Sequence, residues 1–251
     1  MISTVKKMSL LTLCFFIIIS PANAKNEPLH IGTTSYLAPY TMQAAHRQQY
    51  GFDVAMIEYI CTLIQRDCHL HIMKFDQLIP SLVSGKIDLA ASGIIITSER
   101  LKFVNFSTPY ATGNSRFLGK TSFLKTPINA ALLNKNRIGV TIGSPFREEI
   151  YSLGGLEATI IEYQEEVDLI EALLDNSIDL ALVLNQTALY WQSNTDGKLI
   201  ALGQPINYGF GLGIAVNLNN SILLKTINQA LKKYINSKEY LQNFNMYLSY
   251  D

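Results

Sequence analysis

The sequence predicts an α/β protein of two similar lobes with a cleft between them, and three observations carry that prediction. The segment Ile87-Asp88-Leu89-Ala90 recurs as Ile178-Asp179-Leu180-Ala181. Each copy follows a matching lead-in, Phe75 to Lys86 before the first and Glu166 to Ser177 before the second. Both lead-ins read as a short amphipathic helix and a turn that deliver the chain into a buried apolar strand. Along the rest of the chain, strand and helix patterns alternate at the spacing of a parallel or mostly parallel sheet. Two lobes of one kind leave a cleft, and clefts are where small molecules bind. A bare four-residue match would be an ordinary start for a buried strand. The matched lead-ins make it a lobe repeat, although two copies do not make a solenoid.

The chain has 251 residues. Lys6 and Lys7 precede an apolar run from Leu10 to Ile19 that is too short to span a bilayer, and Ala22-Asn23-Ala24 offers small residues for cleavage. Residues 1–24 are therefore expected to be a signal peptide cut before Lys25, which makes the product an exported, periplasmic protein. Cys14 does not mark a lipoprotein, because Leu13 stands where a small residue is wanted and apolar residues continue beyond it. Removing 24 residues from 251 leaves 227, enough for two compact lobes. The removed segment takes two of 20 basic residues and none of the 20 acidic ones, so the mature net charge is about −2. That balance lacks the basic field a nucleic-acid partner needs. No later apolar run reaches transmembrane length.

In chain order, 29–33 is an opening strand and 35–40 a loop broken by Pro39. Apolar Val54, Ile57, Ile60, Cys61 and Ile64 have helical spacing over 53–66, and 68–73 is a strand. Cys61 and Cys68 are the two cysteines left after cleavage, and an even pair in an exported chain reads as a disulfide, here pinning helix end to strand start. A metal site at Cys68, His69 and His71 is the weaker alternative, since no further ligand cluster supports it. Next come a helix over 77–84, a strand over 87–92 and a short helix starting near Ser98. Strands at 116–119 and 137–142 follow, then a helix opened by Gly143-Ser144-Pro145 and running to Leu153. Residues 159–163 are extended, 167–174 helical, and 178–184 a buried strand. Glycine alternates with bulky residues from Tyr208 to Val216, which suits a strand packed closely on another backbone. The tail, 221–247, is helical, with Ile222, Leu223, Ile227, Leu231, Ile235 and Leu241 forming a docking face. A late return of the chain to its first sheet implies an inserted second lobe: residues 25–112 plus 207–251 form lobe 1 and 113–206 lobe 2. Two crossings, near 110–114 and 203–207, form a hinge.

The cleft of an α/β sheet lies at the carboxyl ends of its strands, where helix N-termini attract anions. Ser92-Gly93 and Gly143-Ser144 fall at two such ends, with Pro145 placed as a first helical residue. Arg100 is the candidate anchor, because a guanidinium grips a carboxylate with two parallel hydrogen bonds. An equally good reading makes it a surface arginine paired with Glu99 or a tail carboxylate. Phe75 precedes the helix cap Asp76 and either walls the cleft or packs in the core. Tyr36 and Tyr40 either wall a ligand or staple the first loop with Pro39. The adjacent pair Glu165-Glu166 reads as a solvated turn at a helix start. His30, His46, His69 and His71 fall at no cleft position, and no nucleophile elbow, HExxH or dinucleotide fingerprint is present.

Several runs, in order across the mature chain, resemble the periplasmic polar-amino-acid-binding proteins of ABC importers, solute-binding family 3. They are Gly51-Phe52-Asp53-Val54, Phe75 to Leu82, Gly85-Lys86-Ile87-Asp88, Thr97-Ser98-Glu99-Arg100 and Phe106 to Tyr110. Gly139-Val140 with Gly143-Ser144, and Gly211 to Val216, continue the match. The Cys61–Cys68 spacing is similar to that of the lysine/arginine/ornithine and arginine binders. The resemblance implies two Rossmann-like lobes joined by a two-strand hinge and closing on an amino acid, polar or basic, for delivery to a membrane permease of an ABC importer. It implies Arg100 on the ligand carboxylate, Ser92, Gly93 and Ser144 as further donors, and Phe75 and Tyr36 as walls. It implies no cofactor, and a monomer is expected.

The chain departs from the family pattern at three places. Ile95 and Pro145 replace hydroxyl or acidic residues, and Leu184 stands where the acid that pairs with the ligand ammonium should fall. A one-residue slip would let Asn185 serve as a neutral acceptor. Thr33, Thr34 and Ser35 replace the first-loop acid of basic-amino-acid binders, which weakens arginine or lysine as ligand. The rival is an enzyme, since some relatives on this scaffold are cyclohexadienyl or arogenate dehydratases. Such chemistry needs a placed acid, and Leu184 stands instead. A sensing module without transport is disfavoured by the lack of membrane and signalling segments.

Overall fold

The computed structural model describes residues 27–250. The expected signal peptide and its cleavage point before Lys25 lie outside the described residues. The chain opens with β1 (Leu29–Thr33), β2 (Met42–Gln43), β3 (Gln49–Tyr50), α1 (Phe52–Ile64), β4 (Cys68–Ile72), α2 (Leu78–Val83), β5 (Leu89–Ala90) and β6 (Val104–Phe106). It continues with β7 (Ser115–Lys120), α3 (Ala130–Leu133), β8 (Arg137–Thr141), α4 (Phe146–Ser152), β9 (Thr159–Tyr163), α5 (Glu166–Leu174), β10 (Leu180–Leu184), α6 (Asn185–Asn194) and β11 (Leu199–Ile206). β12 (Ala215–Asn217), α7 (Ser221–Ile235) and α8 (Lys238–Tyr247) complete it.

The strands form two five-stranded sheets, ordered β4-β1-β5-β12-β6 and β11-β7-β10-β8-β9. The first draws on both ends of the chain and the second on one continuous stretch between them. Each lobe is one of these sheets with its helices. Each sheet is mostly parallel, with four strands sharing one direction and one running against them. β4, β1 and β5 run parallel, as do β9, β8 and β10, but β12 and β7 run against their neighbours. The reason is the crossing between lobes. A strand arriving from the other lobe enters its sheet at the cleft end, so it must run opposite to strands that finish there. Ser115 accordingly pairs with Leu184, the last residue of β10, and Ala215 with Ala90, the last of β5.

The internal repeat has the same physical role in both lobes. Asp88 Oδ2 accepts a hydrogen bond from His30 N–H at 2.8 Å, and Asp179 Oδ2 accepts from Arg137 N–H at 2.9 Å. Each aspartate thus ties the start of its own strand to the start of the parallel neighbour, β1 or β8. The preceding isoleucine covers a glycine on that neighbour. A methyl on Gly32 would lie 2.5 Å from Ile87 Cδ1, and one on Gly139 would lie 2.5 Å from Ile178 Cδ1. Leu78 and Leu169, from the two lead-in helices, close over the same glycines.

Other sequence expectations are modified. The glycine-alternating run is regular strand only at β12. Gly209 and Gly211 take φ of +68° and +100°, which breaks the ladder. The close backbone approach is nevertheless present: a Cβ on Gly209 would meet the Ile96 carbonyl oxygen at 2.5 Å. The tail breaks into two helices at Asn236-Ser237, where Ser237 Oγ caps α8 by accepting from Tyr240 N–H. Of the expected docking face, Leu223, Ile227 and Leu231 are buried, but Ile222 and Leu241 are 81% and 59% exposed. The helix α6 and the strands β6 and β11 carry no pattern that announced them.

Cys61 and Cys68 are bonded, joining the last turn of α1 to the first residue of β4 with their Cα atoms 6.3 Å apart. That pairing sets aside the metal alternative for Cys68, His69 and His71.

Two outcomes are expected. Unfolded, unreduced protein comprising residues 25–251 should titrate no free thiol, and reduction should release two while lowering stability by roughly 2 kcal/mol, the scale for so short a closed loop. Asp88→Ala and Asp179→Ala should each reduce urea stability by about 1–3 kcal/mol, the range for a hydrogen bond to a charged acceptor. A negligible loss at both would show that the repeat is a resemblance of sequence only.

Candidate functional site

The parallel strands of the two sheets end facing one another, and the loops that leave them supply the walls of one cleft. From the first lobe come the loop after β1 with Leu37, Phe75 after β4, and Gly93 and Ile95 after β5. From the second come Thr141 and Ser144 after β8, Glu166 after β9, and Val183 and Leu184 at the end of β10. The cleft contains about 370 Å³ of space outside the atoms, part of it open to solvent. The walls are mostly apolar. Among the described residues, Arg100 and Glu166 are the only charged side chains in them.

Arg100 follows the Thr97-Ser98 turn, where Thr97 Oγ1 accepts from its N–H at 3.2 Å. Its guanidinium does not pair with Glu99, which bonds Lys102 instead. Nη1 donates to the Ile95 carbonyl at 2.7 Å and Nη2 to the Gly143 carbonyl at 3.0 Å, so one side chain links the two lobes. The cation lies 5.4 Å from the centre of the Phe75 ring, within range of a cation–π attraction. Burial lowers its pKa to about 10, which still leaves it charged at neutral pH.

Glu166 is the site residue that sequence reasoning placed wrongly. It is 2% exposed, not part of a solvated turn. Oε1 accepts from Ala38 N–H of the first lobe at 3.1 Å and from Trp191 Nε1–H at 2.9 Å, while Oε2 is buried without a partner among the described residues. Its neighbour Glu165 accepts from Ser35 Oγ–H across the cleft at 2.9 Å. A signal was available. Aligning the two lead-ins puts Glu166 at the place of Phe75, and both line the cavity, one from each lobe.

The remaining expected site residues divide. Phe75, Gly93, Arg100 and Ser144 come together in the cavity wall; Tyr36, Ser92 and Asn185 do not. Ser92 Oγ is buried against Thr34 Oγ1 at 2.6 Å, beneath the cleft floor. Gly93 N–H already donates to Asp53 Oδ2 at 2.6 Å, and Ser144 Oγ donates to the Thr141 carbonyl at 2.6 Å. Gly93 matters instead for what it lacks: a Cβ there would lie 2.8 Å from both Leu184 Cδ1 and Leu37 Cδ2. Asn185 sits on the hinge side, its N–H on the Asn114 carbonyl at 2.8 Å and its Nδ2 on Gln186 at 2.5 Å. Tyr36 stands at the cleft rim, its hydroxyl 3.1 Å from that of Tyr190.

These rim contacts make the conformation a closed one. Besides Arg100 to Gly143, Thr187 Oγ1 donates to the Ala38 carbonyl at 2.5 Å, Gln164 Nε2 to Asp76 Oδ1 at 3.0 Å, and Gln186 Nε2 to the Leu248 carbonyl at 2.8 Å. Among the described residues, no group of three His, Cys, Asp or Glu could hold a metal ion.

Residues 29–250 match the family model of bacterial extracellular solute-binding proteins, family 3. The chain is 31% identical over 211 residues to an ABC transporter arginine-binding protein of Escherichia coli, covering 82% of this chain and 84% of that one. It is 26% identical over 258 residues to the histidine-binding periplasmic protein of Salmonella typhimurium, covering 98% of each. Among solved structures, a periplasmic binding protein of Salmonella typhimurium described for high arginine specificity superposes with a TM-score of 0.81 at 27% identity, over 88% of this chain and 99% of that one.

Asp53, Glu149 and Glu166 are buried, and no ion pair among the described residues reaches them. Burial raises each carboxyl to about 7. A carboxyl that holds its proton more tightly when folded contributes stability below its unfolded value near 4, and that contribution is lost as pH rises through 7. The melting temperature should therefore fall by roughly 5 °C or more between pH 5 and pH 8. Glu149→Gln should flatten the profile; a wild-type profile that rises over this interval would show that the acids are ionised without cost.

Proposed function

The chain belongs to the bacterial extracellular solute-binding proteins of family 3, and from that premise we propose that it captures an amino acid between its lobes and delivers it to the membrane permease of an ABC importer. The proposal places it in the periplasm, like the relatives named as periplasmic proteins, and has it act as a monomer. Residues 25–112 plus 207–251 form one lobe and 113–206 the other, moving about crossings near 110–114 and 203–207. The observation that carries the reading is Arg100. A fixed cation stands in an apolar cleft between the lobes, bonded only to neutral carbonyls, one from each lobe.

A ligand carboxylate would replace the Gly143 carbonyl as acceptor of Nη2. A charge-assisted bond is roughly twice as strong as a neutral one, so the exchange is favourable, and the direct Arg100–Gly143 link gives way to one that runs through the ligand. Contacts with both lobes shift the equilibrium toward closure, and the permease reads that state. Phe75 supplies an aromatic wall behind the guanidinium. Ser144 exchanges its bond to Thr141 for one to the ligand. Gly93 keeps the floor open, Ser92 braces it from below, and Tyr36 acts at the rim. Asn185, on the hinge side, has no contact with the ligand in this proposal, so the amine-acceptor role expected of it falls away.

The relatives are named for arginine, histidine and cystine, and we propose an amino acid as the class. The same relatives are named as binding proteins, which supports a non-catalytic role for this chain. Glu166 supplies the cleft acid that dehydratase chemistry would also need, and it is the relatives named as binding proteins that favour binding.

Arg100→Ala should abolish ligand-dependent thermal stabilisation, a loss of about 2–5 kcal/mol in binding as for truncating a buried charged partner. Arg100→Lys should not restore it, because an ammonium cannot make the paired bonds. A thermal-shift screen of the variant against the twenty amino acids checks this, and an undiminished shift in Arg100→Ala would place the carboxylate anchor elsewhere.

A further inference from the structure

We propose that Glu166 is the specificity-determining acid of the cleft, receiving the cationic end of a solute whose carboxylate is held by Arg100; this rests on the binding function above. The cavity wall holds one cation and one acid, Arg100 and Glu166, set among Leu37, Phe75, Ile95, Phe146, Val183 and Leu184. A solute that brings a carboxylate to Arg100 leaves an apolar jacket around the rest of itself. Any positive group it carries finds a single place where it is not stranded.

Glu166 is prepared for that group. Oε1 is occupied by Ala38 N–H and Trp191 Nε1–H, which fix the plane and orientation of the carboxyl. Oε2 is buried and has no hydrogen-bond partner among the described residues. Burial raises the Glu166 carboxyl to about 7; an N–H⁺ donor from the solute favours its ionised form, pairs the buried Oε2 and gains a charge-assisted bond. The position also couples recognition to closure. Oε1 binds the backbone of the first lobe, while the residue itself begins α5 of the second. A donor on Oε2 therefore settles a group that both lobes already share.

The chemistry specified is a zwitterion or ω-cationic acid: a carboxylate at one end and an ammonium or guanidinium at the other. A carboxylate without a cation satisfies Arg100 and leaves Glu166 unpaired, so it should bind more weakly. Titration calorimetry with four probes separates the cases: L-methionine, L-arginine, des-amino-arginine and des-amino-methionine, the last carrying a carboxylate and no cation. Wild-type protein should bind at least one cation-bearing probe about tenfold or more tighter than des-amino-methionine. Glu166→Gln should bring that ratio close to one, and Glu166→Asp should keep part of it. Preference for L-methionine identifies the ammonium as the partner; preference for des-amino-arginine identifies the guanidinium.

A ratio that survives in folded Glu166→Gln overturns the assignment, as does a wild-type protein that binds des-amino-methionine as tightly as the others. Both outcomes leave solute binding itself intact. Wild-type protein that binds none of the four probes and no other amino acid would remove the underlying function together with this proposal. Should the Gln variant fail to fold, a crystal structure of the wild-type complex with L-arginine decides: a cationic nitrogen within about 3.2 Å of Oε2 is expected, and a nitrogen seated away from Glu166 refutes it.

Discussion

The tie between each repeated aspartate and the strand beside it is the constraint on which the rest of the molecule hangs. Asp88 on His30 N–H and Asp179 on Arg137 N–H set the register at which the central parallel strands begin. Ile87 on Gly32 and Ile178 on Gly139 then set how closely those strands and their helices stack. Once the starts are aligned, strands of similar length finish in line, and their exit loops emerge on one side of each sheet. The cleft is a consequence. Its walls are whatever residues happen to follow the strand ends, which is why Phe75 and Glu166, equivalent by position, differ wholly in chemistry.

The second determinant is the way the chain passes between lobes. β7 and β12 enter their sheets from the cleft side and run against the parallel strands there. That arrangement brings the crossings together at one edge, where Leu212 bridges both Ile95 and Ala111. The positive-φ glycines at 209 and 211 let this backbone approach Ile96 and Pro109 closely. A side chain at either position would separate segments that the closed form holds in contact.

Within the cleft, polarity is rationed. Three buried acids sit in or near it, yet only Glu166 faces the cavity. Asp53 supports the floor through Gly93 N–H and Tyr110, and Glu149 receives a hydrogen bond from Ser115 beside the entry of β7. Both are elements of scaffolding. Arg100 and Glu166 differ from them in facing space rather than structure, and in joining the lobes through backbone atoms of the opposite side. In an apolar cleft, charges so placed discriminate strongly, because a mismatched solute leaves one of them without a partner.

The sequence by itself determined the repeat, the α/β class, the disulfide, the helix α1 and most strands of both sheets. These depend on local periodicity, on turn residues and on short-range spacing, all of which are written along the chain. It also pointed to Phe75, Gly93, Arg100 and Ser144 as cleft residues, and all four line the cavity. It did not reveal that the donors of Ser92, Gly93 and Ser144 are spent within their own lobes, nor that Asn185 turns to the hinge. It read Glu165-Glu166 as solvated, since a charged pair at a helix start is ordinarily just that. Only the tertiary structure decided otherwise. Whether a carboxylate faces water or a cleft depends on what the opposite lobe lays over it, here Ser35 and Ala38, more than a hundred residues away in the chain.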